Sequence, residues 1–231
     1  MRLFGTGESD IDPGMVMKKS IQSLLVVAAA LVLAASQNVH AAGKSADLLK
    51  NGLKQWNLQK EGGWEIKDGV LGTSEQPGGY MWTKKSYEDF EISIDYKTSE
   101  KCNSGLFFRT DPKNAVQGGF EIQIASADIY SGKHVVGSLY DAKEPSEIAG
   151  KPNGEWNTMV VTCKGPKISV TLNGKKVIDV SIDDWETPNK NPDGTKNKFK
   201  TALKDLPRKG HIGLQYHGHP VWFRNIKLKK L

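Results

Sequence analysis

The sequence predicts an all-β protein, built as a sandwich or jelly roll of antiparallel strands. Apolar and polar residues alternate with a period of two along run after run, which is typical of strands with one buried face. Glycine, asparagine and proline separate these runs, as turn residues do between short strands. Only residues 46–53 favour a helix, and weakly, so the pattern indicates layers made of sheet alone.

Eight short runs carry the strand pattern. They span residues 90–96, 106–109, 119–124, 156–163, 168–172, 176–180, 212–216 and 221–228. Asn173 and Gly174 separate two of them and predict a tight hairpin turn, because both residue types readily adopt positive φ. The segment 183–209 has little periodicity, and loops of that length are often functional. We expect it at the surface, along one edge of a site.

Residues 1–41 predict an upstream extension followed by a cleaved signal peptide. Lys18 and Lys19 form a short basic region, and residues 24–35 are an apolar run too short to span a membrane. The acidic stretch before this basic pair is interpreted as an upstream start-site artefact. The remaining residues, 42–231, predict one exported domain with a sizeable core and no membrane span.

Charge and cysteine content narrow the class of partners. The chain has 32 Lys and Arg against 26 Asp and Glu, and much of the net +6 falls in residues 190–231. No aromatic residues interleave these charges as in a nucleic-acid platform, so we interpret the region as a solvated loop and edge. Cys102 and Cys163 lack the spacing of a redox or zinc motif. One disulfide is an alternative, and a buried free Cys163 is favoured.

Alternate residues on the predicted strands form a second face that differs from an ordinary solvated sheet. Successive side chains of a strand point to opposite faces, so groups of equal parity share one surface. That parity collects carboxylate, amide, guanidinium and imidazole groups, namely Arg109, Glu121, Gln123, Gln215 and His217. Such directional groups suit a polyhydroxylated ligand, with Trp82, Tyr140 or Trp222 available to stack on a sugar ring. A plain solvent face is the alternative that the pattern leaves open.

Nine short motifs, in order along the chain, resemble the 3-keto-disaccharide hydrolase domain family over residues 46–231. They are GGYMWT (78–83), YEDFE (87–91), NSGLFFR (103–109), GFEIQI (119–124), GSLY (137–140), GEWN (154–157), LNG (172–174), IGLQYHG (212–218) and FRNI (223–226). The resemblance implies a concanavalin-like jelly roll of two curved antiparallel sheets in exported bacterial proteins, periplasmic or extracellular. It also implies action on glycosides that a separate dehydrogenase has oxidised to a ketone at C3.

Cleavage of such a substrate needs a base, donors for an enolate and an acid. The ketone acidifies the C2 proton, the enolate expels the C1 substituent, and water can then add across the double bond. The candidate catalytic residues are Glu121 or His217 as the base, Arg109 as a donor and Tyr140 as the acid. The candidate substrate-binding residues are Asn103, Ser104, Gln123, Gln215 and Trp82. As alternatives, Arg109 could pair with Glu121, and Asn103 and Ser104 could only shape their turn.

Other functions stay open on the sequence alone. A non-catalytic carbohydrate-binding module would use the polar face only to hold hydroxyl groups. A conventional glycoside hydrolase would need two carboxylates, for which Glu91, Asp95 and Glu121 are the available suppliers. No cofactor and no dedicated metal site are expected, although a divalent cation is another way to stabilise an enolate. The expected partner is an oxidised carbohydrate, without nucleic acid, and the protein is expected to be a monomer.

Overall fold

Two antiparallel β-sheets carry nearly all of the regular structure. The computed structural model describes residues 45–73, 79–126 and 129–231, so the predicted leader and its boundary at residue 42 lie outside the described residues. These ranges contain strands and short 3₁₀ turns but no α-helix, and the all-β prediction is confirmed. No helix in these ranges has the length and apolarity needed to cross a membrane.

The larger sheet has eight strands. They are β1 (Ala46–Asp47), β3 (Trp64–Lys67), β4 (Val70–Thr73), β6 (Phe90–Thr98), β9 (Asn157–Lys164), β10 (Lys167–Leu172), β11 (Lys175–Ser181) and β13 (Val221–Lys230). Their order across the sheet is β11-β10-β9-β6-β13-β4-β3, and β1 pairs with β13. Consecutive strands therefore pair at the β9-β10-β11 end, whereas β13 returns from the end of the chain to lie beside β6.

The smaller sheet has five strands. They are β2 (Trp56–Leu58), β5 (Tyr80–Tyr87), β7 (Asn103–Thr110), β8 (Phe120–Ala125) and β12 (Gly210–Gln215), in the order β2-β5-β12-β7-β8. Within the described ranges, five 3₁₀ turns lie in the connections between strands, at Gly52–Gln55, Pro112–Asn114, Gly132–His134, Ile182–Asp184 and Leu203–Asp205. The two sheets together form a jelly-roll sandwich.

The weak helix expectation for residues 46–53 is wrong. Ala46 and Asp47 pair with Leu228 and Lys227 as an edge strand, and only a 3₁₀ turn follows, from Gly52. Isolated short helices are marginal because the first turn is costly to form. Strand pairing with β13 satisfies the same backbone groups.

The core lies between the two sheets, where their apolar faces meet. β6 shows the alternation most clearly, since Phe90, Ile92, Ile94 and Tyr96 are buried while the intervening residues stay partly exposed. The ring of Phe90 meets that of Phe108 from the other sheet nearly edge to face, with centroids 6.2 Å apart. Burying one such side chain stabilises the fold by roughly 1.5–3 kcal/mol, so this interface holds the sandwich together.

Both cysteines are buried in this core as free thiols. The buried Cys163 is confirmed, and the disulfide alternative is wrong. Burial raises the pKa of Cys102 and of Cys163 to about 12, so both thiols stay protonated near neutral pH. Protonated, buried thiols are poor nucleophiles, and the two residues act as core side chains.

The hairpin predicted at Asn173 is confirmed. Asn173 and Gly174 have φ values of 51° and 83°, as a two-residue turn between right-twisted strands requires. The Asn173 side chain also donates to the backbone oxygen of Ala149 at 2.7 Å and accepts from the backbone N–H of Thr158 at 2.9 Å. This asparagine therefore sets both the turn and the position of the neighbouring loop.

The register of the smaller sheet brings the polar residues of different strands together. Across the sheet the residues of one parity pair as Tyr80 with Gln215, Trp82 with Gly213, Gly213 with Phe107, Phe107 with Glu121, and Gly105 with Gln123. The opposite parity, which includes Met81, Leu106, Ile122 and Leu214, is fully buried in the core. One face of this sheet thus belongs to the core and the other is free to build a site.

Arg109 departs from the parity that the sequence predicts for it. Between Phe107 and Thr110 the pairing of β7 with β12 shifts register, and Arg109 has a φ of 50°. An irregularity of this kind turns a side chain toward a different direction from its neighbours. The guanidinium is completely buried, away from the polar face. The predictions that Arg109 binds substrate or pairs with Glu121 are therefore wrong.

The buried guanidinium instead joins the two sheets at one end of the sandwich. Arg109 donates to the backbone oxygens of Glu88 and Gly165, each at 2.8 Å, and to Asp89 Oδ1 at 3.0 Å. Asp89 Oδ1 also accepts from the backbone N–H of Gly165 at 2.9 Å. Glu88 and Asp89 lie in the turn that leads from β5 of the smaller sheet to β6 of the larger one, and Gly165 lies in the β9–β10 turn of the larger sheet. A single side chain from β7 thus satisfies both turns.

Replacing Arg109 by methionine should lower the free energy of unfolding by about 3 kcal/mol, because three hydrogen bonds from a fully buried, charged donor are lost. Urea denaturation measures this loss. Arg208→Met is the matched control, since Arg208 pairs with the half-exposed Asp183 at the surface and such pairs contribute up to ~1 kcal/mol. Equal losses in the two variants would contradict the joining role of Arg109.

Candidate active site

A cavity of about 240 Å³ opens on the polar face of the smaller sheet. It is lined by Tyr80, Asn103, Phe107, Val116, Glu121, Gln123, Tyr140, Lys198, Gln215 and His217. Six of the nine predicted site residues are among them, and Arg109, Ser104 and Trp82 are not. A larger cavity, of about 430 Å³, lies beside Trp185 and Pro192, but its carboxylates are exposed and it contains no predicted site residue.

Glu121 lies at the base of the smaller cavity, near the start of β8. The residue is 8% exposed. The carboxylate packs over Gly105 on the neighbouring strand, in space that a Cβ at residue 105 would occupy. Burial raises the pKa of Glu121 to about 7, against the opposing effect of Lys198. A carboxyl group that is partly ionised near neutral pH can both accept and return a proton.

Lys198 brings a positive charge to this carboxylate. Its Nζ lies 3.9 Å from Glu121 Oε2 and 4.3 Å from the centroid of the Tyr140 ring. Burial lowers the pKa of Lys198, although Glu121 and Asp141 act in the opposite direction. The pKa of Glu121 is thus raised and that of Lys198 is lowered, and each shift favours the uncharged form of the group. Burial therefore outweighs the attraction between the two charges, which are close but not hydrogen-bonded.

The backbone of Lys198 is fixed on both sides by polar side chains. Its N–H donates to Asp141 Oδ2, and its carbonyl oxygen accepts from Gln117 Nε2 at 2.9 Å. The same Gln117 accepts from the N–H of Lys200 at 2.9 Å. Sequence reasoning placed the segment 183–209 beside a site but did not single out Lys198, because a stretch without periodicity gives no parity to read.

Tyr140 lies beside Glu121 because its segment follows the free edge of β8. The backbone N–H of Tyr140 donates to the carbonyl oxygen of Glu121 at 2.9 Å, and Gly137 and Gln123 are joined in the same way. Burial, with a smaller contribution from the Glu121 charge, raises the pKa of the Tyr140 hydroxyl. The hydroxyl is therefore protonated at neutral pH and available as a donor.

Three polar side chains form a continuous chain from the buried sheet to the open side of the cavity. Gln123 is completely buried, and its Nε2 donates to Asn103 Oδ1 at 3.2 Å. Asn103 Nδ2 lies 2.7 Å from Nδ1 of the exposed His217. Within the described residues, Gln123 Oε1 is buried without a hydrogen-bond partner. Gln123, Asn103 and His217 were all predicted from the sequence, but their connection was not.

An aromatic wall closes the opposite side of the cavity. The ring of Tyr80 stacks on Trp82 with centroids 5.2 Å apart and meets Phe107 edge to face at 5.3 Å. Its hydroxyl accepts from Gln215 Nε2 at 3.0 Å. Burial raises the pKa of the Tyr80 hydroxyl, so it stays protonated. Sequence reasoning missed Tyr80 and Phe107, although both have the parity of the polar face.

The structure places two predicted substrate-binding residues outside the cavity. Trp82 is 6% exposed, and its ring fills the space over Gly213 beneath Tyr80. It supports the aromatic wall and does not offer a stacking surface. Ser104 is fully buried on the core face, where its hydroxyl donates to the backbone oxygen of Gln215 at 2.6 Å. Both expectations of direct contact with substrate are therefore wrong.

Two further sequence expectations concern stacking and metal binding. Trp222 belongs to β13 of the larger sheet, where Lys97 Nζ lies 4.8 Å from its ring, so it takes no part in the cavity. In the ranges that the structure describes, no group of three or more His, Cys, Asp or Glu residues is arranged to hold a metal ion.

The cavity combines properties that binding and proton transfer both require. Amide and hydroxyl groups provide directional hydrogen bonds, the Tyr80 and Phe107 rings provide an apolar wall, and Glu121 titrates near neutral pH. Such a cavity on one sheet face of a jelly-roll sandwich is suited to a polyhydroxylated ligand such as a carbohydrate.

Comparison with known proteins identifies the family. Residues 46–229 match the family described as the 3-keto-alpha-glucoside-1,2-lyase-like domain, so the chain belongs to this family. Over 203 residues it is 25% identical to a 3-keto-disaccharide hydrolase from Bacteroides thetaiotaomicron, a match that spans 73% of this chain and 70% of that protein. The family resemblance seen in the sequence motifs is confirmed.

Solved structures agree with this assignment. A protein provisionally named glycosyl hydrolase from Parabacteroides distasonis is 36% identical, with a TM-score of 0.76, and the match covers 82% of this chain and all of that one. A second structure from the same organism, at 24% identity and a TM-score of 0.64 over 77% of this chain and 88% of that chain, has the same fold. The chain is thus a carbohydrate-acting enzyme of the 3-keto-alpha-glucoside-1,2-lyase-like family.

The buried carboxyl group makes stability depend on pH. Folding raises the pKa of Glu121 from 4.5 to about 7, so the folded state binds more protons than the unfolded state between these values. Stability must therefore fall as pH rises through this window, by up to ~3 kcal/mol. Glu121→Gln removes this dependence. Its free energy of unfolding, relative to that of the unchanged protein, should increase between pH 4.5 and 7 in urea titrations.

Glu155→Gln is the control for this experiment, because Glu155 is exposed in a loop. It should follow the unchanged protein at every pH. If the difference between Glu121→Gln and the unchanged protein stays constant from pH 4 to 8, the Glu121 carboxyl does not titrate near neutral pH.

Proposed function

We propose that this enzyme cleaves 3-keto-glycosides by abstraction of the C2 proton, elimination of the C1 substituent and addition of water. The observation that supports this most directly is Glu121, a buried carboxyl that titrates near pH 7 at the base of the cavity beside Lys198. Family membership and the similarity to a 3-keto-disaccharide hydrolase supply the substrate class. The exported location predicted from residues 1–41 and the monomeric state belong to the same proposal.

The first step requires a base for a carbon acid. A ketone at C3 makes the neighbouring C2 proton acidic, and the Glu121 carboxylate removes it. Because Glu121 is buried, its ionised form is poorly solvated and gains by taking up a proton. A base with a pKa near the working pH is both ionised often enough and strong enough for this transfer.

The negative charge that develops on the ketone oxygen requires stabilisation. Lys198 Nζ is close to the Glu121 carboxylate, so a substrate whose C2 proton faces Glu121 has its neighbouring oxygen within the field of this ammonium. A cation held in a largely buried position is effective because little solvent screens it. The Lys198 ammonium is then close both to the base that removes the C2 proton and to the oxygen on which negative charge develops.

Elimination and hydration complete the reaction with the same groups. The enolate re-forms the ketone and expels the C1 oxygen, which takes the Tyr140 hydroxyl proton. The resulting tyrosinate accepts a proton from water as that water adds to C1, and protonated Glu121 returns its proton to C2. One glycoside and one water give a 3-keto sugar and an alcohol, and both side chains recover their starting states.

The cavity argues against the two-carboxylate alternative. Glu121 is the single carboxylate among the described residues that line it. Asp95 lies on the larger sheet and accepts from Thr158 and Asn225, and Glu91 lies on the same strand beside Thr162. Neither can face Glu121 across a glycosidic bond. A purely binding role for the cavity has no need of a carboxyl that titrates near neutral pH.

Release of p-nitrophenol from p-nitrophenyl glucoside and from its 3-keto derivative tests the proposal. The keto compound alone should turn over, and Glu121→Gln should reduce its kcat/KM by about 10²-fold or more, because the general base is lost. Glu155→Gln is the control and should retain full activity. Turnover of both compounds would favour two-carboxylate hydrolysis, and binding without turnover would exclude an enzyme.

Gly105 offers a steric test of Glu121 placement. The Gly105 backbone is outside the positive-φ region, so alanine causes no backbone strain there, but its Cβ would displace the Glu121 carboxylate. Displacing a catalytic group by about 1 Å can reduce the rate ~10²-fold, and we expect Gly105→Ala to do so with the keto substrate.

The double variant Gly105→Ala with Glu121→Gln separates this effect from a general loss of structure. If Gly105→Ala acts through the carboxylate, the double variant should be no slower than Glu121→Gln alone, because changes that act through one group are not additive. If the loss of rate in the double variant equals the product of the two single losses, residue 105 does not act through the Glu121 carboxylate.

A further inference from the structure

The direction of the polar chain from Gln123 to His217 determines which ring nitrogen of the histidine carries a proton. Gln123 Nε2 donates to Asn103 Oδ1, so the other end of the Asn103 amide, its NH₂ group, faces His217 Nδ1 at 2.7 Å. An amide NH₂ is a donor only, so Nδ1 must accept with its lone pair. The proton of the neutral imidazole is then on Nε2.

Burial supports this direction over the reverse one. With the observed direction, the unpaired atom of Gln123 within the described residues is a carbonyl-type oxygen, Oε1. Reversal would leave the Gln123 NH₂ group, with two protons, buried in the same place. Buried N–H groups without partners are rarer in folded proteins than under-used oxygens. The backbone of Gln123 pairs with Ser138 and Gly137, which fixes the point from which its side chain reaches Asn103.

We infer that Asn103 is a positioning residue that keeps neutral His217 in its Nε2–H form, so that His217 donates a hydrogen bond to substrate and Glu121 is the base. This inference rests on the proposed function for the identity of the substrate. A neutral imidazole whose Nδ1 is occupied has no free lone pair with which to remove the C2 proton. It can offer Nε2–H to the ketone oxygen, whose negative charge grows as the proton leaves.

Among the groups that surround His217, Asn103 is the one that sets the tautomer of its ring. The titratable groups that share the cavity are Tyr80, Glu121, Tyr140 and Lys198. Within the described ranges, the hydrogen bond of the His217 ring is the one to Asn103. No proton is transferred by His217 in this scheme, so the proton balance between Glu121 and Tyr140 is unchanged.

Nitrogen NMR of protein labelled with ¹⁵N-histidine tests the tautomer without substrate. At a pH where the rings are neutral, His217 should show an unprotonated Nδ1 and a protonated Nε2. Asn103→Asp should move the proton to Nδ1, because a carboxylate accepts where the amide donated. His219, exposed at the same corner, is the internal reference and should be unchanged by Asn103→Asp. A protonated Nδ1 in the unchanged protein would overturn the inference.

Activity separates a donor from a base at His217. Glutamine keeps an N–H donor at this position, whereas leucine keeps neither donor nor base. Removing one donor to a developing oxyanion costs about 10²–10³-fold in kcat. His217→Leu should lose about this factor with the 3-keto substrate, and His217→Gln should be at least about tenfold faster than His217→Leu. Equal losses in the two variants would overturn the donor role.

The NMR and activity measurements together distinguish failure of the inference about Asn103 from failure of the proposed function. An Nε2–H tautomer in a protein that does not cleave the keto substrate would leave the inference about Asn103 intact and contradict the proposed function. Cleavage of the keto substrate by a protein whose His217 Nδ1 is protonated would support the proposed function and overturn the inference about Asn103. His219→Gln is the matched activity control, because His219 lies outside the cavity lining, and it should retain full turnover.

Discussion

The alternation of side chains along the five-stranded sheet is the constraint on which the core and the site both depend. One parity packs against the larger sheet, and the other presents amide, carboxylate and aromatic groups. A register slip of one residue in any strand would exchange the two sets. The strands therefore cannot be adjusted separately for stability and for chemistry. The irregularity at Arg109 marks the end of this regular region, since beyond it a charged side chain turns inward and joins two turns.

Within this frame, the electrostatics of the site result from the balance between burial and one close pair of charges. Glu121 and Lys198 attract each other at 3.9 Å, yet burial moves the pKa of each toward its neutral form. A closer, hydrogen-bonded pair would hold Glu121 ionised and make it a weak base. The observed separation keeps the carboxyl titratable while leaving the ammonium near the position where substrate charge develops. Gly105 makes this arrangement possible by giving the carboxylate room next to the sheet.

Much of this could be predicted from the sequence, and the exceptions have physical causes. Regular alternation on β8 and β12 identified Glu121, Gln123 and Gln215, because parity is a local property of a strand. Arg109 was misplaced because no glycine marks its positive φ, so nothing local signals the irregularity. Trp82 has the parity of the polar face, but its ring is buried over Gly213. Gly213 is its neighbour in the sheet but lies far from it in the sequence, so the burial could not be predicted locally. Lys198 comes from a segment without periodicity, where only tertiary contacts decide which side chain enters the cavity.

Glu121 and Lys198 come from different parts of the fold, and this affects how such an enzyme can evolve. Glu121 is part of the sheet, whereas Lys198 is presented by a loop whose backbone is fixed by Gln117 and Asp141. The next residue, Phe199, is buried in the core, while other positions of the loop are exposed. Substitutions at Lys198 can change the charge, size or polarity next to the reacting carbons while the core residues of the two sheets stay the same. Changes at the exposed positions of one loop can thus adapt the site to new leaving groups or sugar configurations, while the sheet continues to supply the proton-transfer carboxyl.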